Sequence, residues 1–77
     1  MERPALVSRA ARPGGGAMLA TLIRAERRRR GWSQLDLALR AGVDTATIGG
    51  IERGTIRRPT RRTLERLAAA LGLPPRE

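Results

Sequence analysis

The sequence predicts an all-α domain of four short helices. Apolar residues recur at helical spacing in successive segments, and each segment is followed by a glycine that can turn left-handed and end a helix. These glycines are Gly31, Gly42, Gly54 and Gly72. A chain of 77 residues without cysteine holds one domain with a small core, so its stability must come from well-packed helices.

The first predicted helix spans about residues 18–30. Leu19, Leu22 and Ile23 repeat there at helical spacing, and the arginines fall mostly on the opposite face. Trp32 follows this helix and is the only aromatic residue of the chain. It stands just before the next helix, where a staple residue packs, so we expect it in the core and not stacked on a base.

The second predicted helix begins after Ser33. The Ser33 hydroxyl can accept a hydrogen bond from an amide of the first turn, and Asp36 can reach back to Ser33, which makes a capping box. Leu37, Ala38 and Ala41 form the inward stripe of this helix. Sequence alone therefore defines both its start and its buried face.

Leu35 and Leu39 lie four residues apart in the same helix and partly off its inward stripe. Two interpretations stay open. They form a small apolar patch that binds a second copy of the chain or another protein, or they widen the core locally by contacting Trp32 or the N-terminal tail.

Asp44 opens the third predicted helix, residues 45–53, in which Ile48 and Ile51 point inward. After a loop, Thr60 caps a fourth helix that ends near residue 71. Its apolar residues recur at i, i+3, i+4 and i+7, and they are Leu64, Leu67, Ala68 and Leu71.

The predicted domain organisation is a flexible basic arm over residues 1–17, a folded domain over residues 18–73 and a short tail over residues 74–77. The arm is rich in glycine and proline and has little apolar periodicity. Its arginines are Arg3, Arg9 and Arg12. They follow phosphates or enter a minor groove, or the arm is a solvated tail; a third alternative is that translation starts at Met18.

Composition favours a polyanionic partner. The net charge is +9, the sixteen basic residues are all arginine, and the pI is about 12.0. Histidine and cysteine are absent and only two serines occur, so we expect neither an enzyme nor a metal or other cofactor. No apolar run is long enough to span a bilayer, and a signal peptide is not evident, so we expect a soluble, cytoplasmic protein.

The second and third predicted helices are joined by a short turn that contains Gly42, as in a helix-turn-helix, whose second helix lies in the DNA major groove. Residues across the chain match one family of such domains: Arg27, Gly31, Ser33, Gln34, Leu37, Ala38, Ala41, Gly42, Val43, Ile48, Ile51, Glu52, Arg53, Gly54, Pro59, Leu64, Leu67, Ala68, Ala70, Leu71 and Gly72. With them the chain resembles the phage Cro/repressor-type (XRE-type) helix-turn-helix family. The resemblance implies a compact repressor-like domain, truncated to four of the usual five helices, that binds double-stranded DNA and regulates transcription.

The resemblance places base readout on the third helix. The expected readers are Asp44, Thr45, Ala46 and Gly49, with Gly50 beside them. Members of the family typically carry larger polar side chains at several of these positions. Glycine supplies no reader and costs about 1 kcal/mol in a helix interior, so we expect a soft third helix and few hydrogen bonds to base edges.

Contacts with phosphates are expected from a second set of residues. Gln34 matches a family glutamine that touches a phosphate and braces the reading helix. The arginines Arg28, Arg53, Arg57 and Arg58 are expected to contact phosphates, and a solvated rim is the alternative interpretation.

Two further expectations follow from the resemblance. Arg27 and Glu52 match a family pair that forms a partly buried ion pair between the first and third helices. The family's fifth helix, which many members use for packing or dimerisation, does not occur in this sequence, so we expect a mostly monomeric domain of low specificity. The alternative function is an interaction or antitoxin-like module that binds DNA weakly, and a truncated regulator is a third.

Overall fold

A computed structural model describes residues 16–73. They form four helices: α1 Gly16–Arg29, α2 Gln34–Ala41, α3 Thr45–Arg53 and α4 Arg61–Leu71. No strand occurs among the described residues. The predicted all-α, four-helix class is confirmed. Helix α1 begins two residues before its predicted start, at the last glycine of the expected arm, and the rest of that arm and the 74–77 tail lie outside the described residues.

Helix α2 has the predicted caps at both ends. The Asp36 amide donates to the Ser33 hydroxyl over 3.0 Å, and the Ser33 amide donates to the Asp36 carboxylate over 2.8 Å. The hydrogen bond from the Ser33 backbone lowers the pKa of Asp36. At the other end, Gly42 has φ +73 and its amide donates to the carbonyl of Ala38. Local sequence thus sets the length of this helix.

The loop after α3 folds back onto that helix. The carbonyl of Gly50 accepts from the backbone amides of Thr55 and Ile56, over 2.9 and 3.0 Å, and from the Thr55 hydroxyl over 3.1 Å. Thr60 then caps α4, because its hydroxyl accepts from the amide of Thr63 over 3.1 Å. The hydrogen bonds to Gly50 therefore fix the direction in which the loop leaves α3, and the Thr60 cap fixes where α4 begins.

One apolar core is shared by all four helices. Helix α3 packs against α1 and α2, and α2 also packs against α4. The buried apolar residues are Ile23, Leu37, Ala38, Ala41, Ile48, Ile51, Leu67 and Leu71. Leu19, Trp32, Val43, Ile56, Ala70 and Leu73 are partly buried against them. The inward stripe predicted for α2 and the two inward isoleucines of α3 are confirmed.

Two leucines assigned to the core by periodicity are more exposed than expected. Leu22 in α1 is 42% exposed and Leu64 in α4 is 39% exposed. Each of these helices packs mainly against one neighbour, α1 against α3 and α4 against α2. A single neighbour covers only part of an apolar stripe, so the residue at its edge stays in contact with solvent.

The two adjacent glycines of α3 are both buried, and for different reasons. A Cβ atom on Gly50 would lie 2.6 Å from Cδ1 and 2.8 Å from Cγ1 of Ile56, a residue that packs on the core. A Cβ atom on Gly49 would lie 2.9 Å from Nη1 of Arg53 and 3.5 Å from Oε1 of Gln34. Gly50 thus makes room for a core side chain, whereas Gly49 is covered by the end of a flexible one.

The same substitution should therefore act in opposite directions at these two positions. We expect Gly49→Ala to raise the free energy of unfolding by up to about 1 kcal/mol, because alanine favours a helix and the Arg53 tip can move aside. Gly50→Ala should lower it by up to about 2 kcal/mol, because pushing Ile56 from its place costs about 1–3 kcal/mol and offsets the same gain. Urea unfolding followed by circular dichroism measures both, and equal shifts of one sign would contradict this packing.

Candidate nucleic-acid interface

The carboxylate of Glu52 lies at the centre of a buried group of charged and polar side chains. Arg27 donates to it through two nitrogens, from Nε to Oε2 over 2.7 Å and from Nη2 to Oε1 over 2.8 Å. Arg27 is 8% exposed and Glu52 is 5% exposed, so this bidentate pair is buried. The remaining Nη1 of Arg27 donates to the carbonyl of Trp32 over 2.8 Å. The pair expected from the family resemblance therefore joins α1, α3 and the turn before α2.

Two more side chains complete the environment of Glu52. Gln34 Nε2 donates to Oε1 over 3.1 Å, and Arg24 Nη2 donates to the Glu52 carbonyl over 2.8 Å. Burial raises the pKa of Glu52, but hydrogen bonds from Arg27 and Gln34 outweigh burial and hold the pKa below its usual range. The hydrogen bond to Glu52 raises the pKa of Arg27. The first turn of α2 is thereby tied to the last turn of α3.

The solvent-facing side of α3 carries small side chains at its N-terminal end. Asp44, Thr45 and Ala46 are exposed, as expected. Asp44 occupies the N-cap position, but its carboxylate makes no capping hydrogen bond. The expectation that Gly49 and Gly50 lie open on this face is wrong, because Arg53 and Gln34 cover the first and Ile56 covers the second.

The four arginines expected at phosphates are all exposed: Arg28, Arg53, Arg57 and Arg58. The guanidinium groups of these four have no ion pair or hydrogen bond with another residue in the range 16–73. Arg57 and Arg58 lie in the loop that is bonded to Gly50, and Arg53 lies over Gly49. Gln34, the fifth expected phosphate contact, is partly exposed and braced against Glu52.

Other arginines have structural partners, which the sequence did not reveal. Arg30 donates to the carbonyl of Leu71 at the end of α4, and Arg66 donates to the carbonyl of Gly42 at the end of α2. Cations at these positions also oppose the negative end of a helix dipole. No signal in the sequence points to these contacts, because both acceptors are backbone carbonyls far along the chain, and Arg30 also pairs with Glu26 at helical spacing. Arg30 and Arg66 therefore stabilise contacts between helices, whereas the arginines expected at phosphates face solvent.

Leu35 and Leu39 point into solvent, with 53% and 71% of their surface exposed. Neither is among the described residues that pack against the core, and the predicted contact with the N-terminal tail falls outside the described residues. Trp32 instead packs against the core and lies under two guanidinium groups, with Arg40 4.3 Å and Arg30 5.5 Å from the centre of its ring. The placement of Trp32 against the core is confirmed.

The second and third helices of the domain, α2 and α3, together with the Gly42 turn, have the geometry of a helix-turn-helix motif. Residues 23–77 match the family model described as Helix-turn-helix. The chain belongs to the XRE-type helix-turn-helix family. Of the helices in residues 16–73, none is both long and apolar enough to cross a bilayer.

This XRE-type domain is similar to three mycobacterial proteins. They are uncharacterized HTH-type transcriptional regulators, one from Mycobacterium bovis and two from strains of Mycobacterium tuberculosis. Each is 45% identical over 53 residues, which is 69% of this chain and 20% of the relative. The chain therefore spans about one fifth of the length of these relatives. No solved structure matches it.

Breaking the buried pair should destabilise the domain strongly. We expect Arg27→Met to lower the free energy of unfolding by about 3–5 kcal/mol, because Glu52 would be left as a buried charge without its main partner. The matched control is Arg29→Met, which breaks a pair with Glu26 whose arginine side chain is 67% exposed, and it should cost under about 1 kcal/mol. Urea unfolding measures both losses. Equal losses would show that burial of the pair has no energetic weight.

The lowered pKa of Glu52 should make the pair sensitive to acid. Because its folded pKa lies below its unfolded value of about 4.3, Glu52 contributes stability above that pH, and the contribution is lost as the pH falls through the folded pKa. We expect Glu52→Gln to be much less stable than the unsubstituted chain near neutral pH and almost equal to it in strong acid. Unfolding free energies of both proteins across an acid titration provide the measurement. A difference that does not change with pH would contradict the assignment.

Proposed function

We propose that this domain binds double-stranded DNA sequence-specifically and acts as the DNA-binding part of a transcriptional regulator. The observation that carries the proposal is the position of α3. The N-terminal part of its outer face carries only small side chains, its last turn is held by the buried Glu52, and arginines whose side chains have no partner in residues 16–73 flank it. Family membership supports the same function.

Helix α3 suits the major groove because nothing bulky stands at its N-terminal end. The Asp44 carboxylate makes no capping hydrogen bond and accepts readily from a cytosine amine. The Thr45 hydroxyl and methyl fit a base edge or a thymine methyl, and Ala46 offers a methyl contact of its own. These three exposed residues are the proposed readers at the N-terminal end.

The phosphate contacts surround this helix. Arg57 and Arg58 project from the loop that returns over α3, and Arg28 lies one turn after Arg24, which itself bonds to the end of α3. Gln34 stands in the first turn of α2, where helix amides favour an anion. Neutralising phosphates releases counterions, and this supplies affinity for any duplex.

A second candidate function is favoured by one observation, the exposure of Leu35 and Leu39 on α2. In this alternative the domain is an interaction or antitoxin-like module whose main partner is a protein, and its DNA binding is weak and nonspecific. Footprinting on a library of duplexes separates the two functions. A protected site supports the regulator, and salt-sensitive binding to all duplexes without a protected site supports the interaction module.

Removing an arginine that contacts a phosphate should weaken binding to every DNA sequence equally. We expect Arg28→Gln, Arg57→Gln and Arg58→Gln each to weaken binding to all duplexes and to reduce the slope of log affinity against log salt by about 0.9. The control is Arg29→Gln, which removes the same charge from an arginine paired with Glu26 and has no proposed contact. Gel shifts across a salt series measure the slopes. Slopes that change no more in the three variants than in the control would place these arginines in a solvated rim.

A further inference from the structure

The one long side chain on the outer face of α3 is that of Arg53. On a helix, positions 45, 46, 49 and 53 lie within an arc of about 100°, so they share one face. Thr45 and Ala46 are short, and Gly49 has no side chain. Arg53 is therefore the only residue of this face whose donors can extend far from the helix axis.

The guanidinium of Arg53 does not lie at the end of α3, where its backbone is. Nη1 lies 2.9 Å from the position that a Cβ atom of Gly49 would occupy, one turn closer to the N-terminus. Side chains on a helix point towards its N-terminus, and the missing side chain at position 49 leaves the space that Arg53 fills. The charged group thus lies near the middle of the face that the proposed function turns towards DNA.

Nothing in residues 16–73 holds this guanidinium through an ion pair or a hydrogen bond. By contrast, Arg27 and Arg24 on the inner side are bonded to Glu52. Arg53 is exposed, and the planar fork of donors on its guanidinium is free to meet a ligand. Oε1 of Gln34 lies 3.5 Å from the same Cβ position and borders the space on the α2 side.

We propose that Arg53 reads a guanine in the major groove and that Gly49 is the residue that positions it. Two parallel donors of a guanidinium match the O6 and N7 acceptors of guanine, the pairing that arginine makes most often with base edges. The inference rests on the proposed function, because α3 must first lie in the groove. It reassigns Arg53 from a phosphate contact to a base contact, and it gives Gly49 a role that needs no side chain of its own.

The test begins with the preferred duplex of the unsubstituted chain, selected from a randomised pool. Arg53→Gln is then measured on the same pool and on the selected site. We expect the guanine preference at one base pair to fall by about 5- to 140-fold, the equivalent of about 1–3 kcal/mol. Glutamine favours adenine, so the preference there should move towards adenine. Replacing that guanine by 7-deazaguanine, which lacks the N7 acceptor, should weaken the unsubstituted chain and leave Arg53→Gln almost unchanged.

Gly49→Ala tests the positioning role separately, because it keeps Arg53 and its charge. We expect the same guanine preference to fall while the salt slope stays constant and the thermal stability does not decrease. A merely structural glycine would lose stability and affinity together for all duplexes. Arg58→Gln provides the contrast, since a phosphate contact should weaken all duplexes by one factor and leave every base preference in place.

Three outcomes would overturn the inference. A chain that binds no duplex overturns it together with the proposed function. A selected site whose base preferences survive in Arg53→Gln overturns this inference alone, as does equal sensitivity of both proteins to 7-deazaguanine. A chain that binds every duplex equally also shows that Arg53 reads no base.

Discussion

The buried carboxylate of Glu52 is the constraint on which the arrangement of the helices depends. A charge out of contact with water costs several kcal/mol unless it is paired and fully hydrogen-bonded, and here Arg27 and Gln34 donate to the carboxylate. These donors come from α1 and α2, whereas Glu52 belongs to α3. The three helices must therefore be placed so that both donors reach the carboxylate. The pair thus contributes geometry as well as stability.

That placement also fixes the surface that faces outward. With Glu52 held inward, the opposite side of α3 is left to solvent, and Gly50 is turned towards the loop that follows. The Gly50 carbonyl accepts hydrogen bonds from two loop amides, and the side chain of Ile56 packs where a Cβ atom of residue 50 would lie. Arg57 and Arg58 follow directly in the chain, so their positions depend on a close contact that only glycine allows at this point. An ion pair on one side of α3 and a glycine on another thereby set where the positive charge lies.

Much of this fold was predictable because its determinants are local. Ser33 and Asp36 form their capping box within one turn, and Gly42 turns left-handed immediately after α2. Those signals are written in neighbouring residues and require no knowledge of the tertiary structure. Burial of Ile48 and Ile51 follows from helical spacing in the same way. The exposure of Leu22 and Leu64, at the edges of the apolar stripes of α1 and α4, was not predictable, since it depends on how much of each helix its neighbour covers.

The roles of the arginines could not be read from the sequence for a physical reason. The sixteen arginine side chains are identical, so the sequence does not show which partner each one has. The acceptors of Arg30 and Arg66 are backbone carbonyls at distant helix ends. Only the Arg27 pair with Glu52 was foreseen, and it came from resemblance, not from spacing. The burial of Gly49 was missed as well, because the group that covers it is the side chain of Arg53, one turn further along the same helix.

The small outer face of α3 also limits what one copy of the domain can achieve. A bidentate contact between Arg53 and guanine would discriminate at one base pair by about 1–3 kcal/mol, and Thr45 and Ala46 offer weaker contacts. Specific regulators prefer their sites by about 4–10 kcal/mol, so a single domain falls short of that range or only reaches its lower end. A second copy of the domain or another protein would add discrimination. Leu35 and Leu39, exposed on the helix next to α3, offer an apolar surface for such an assembly.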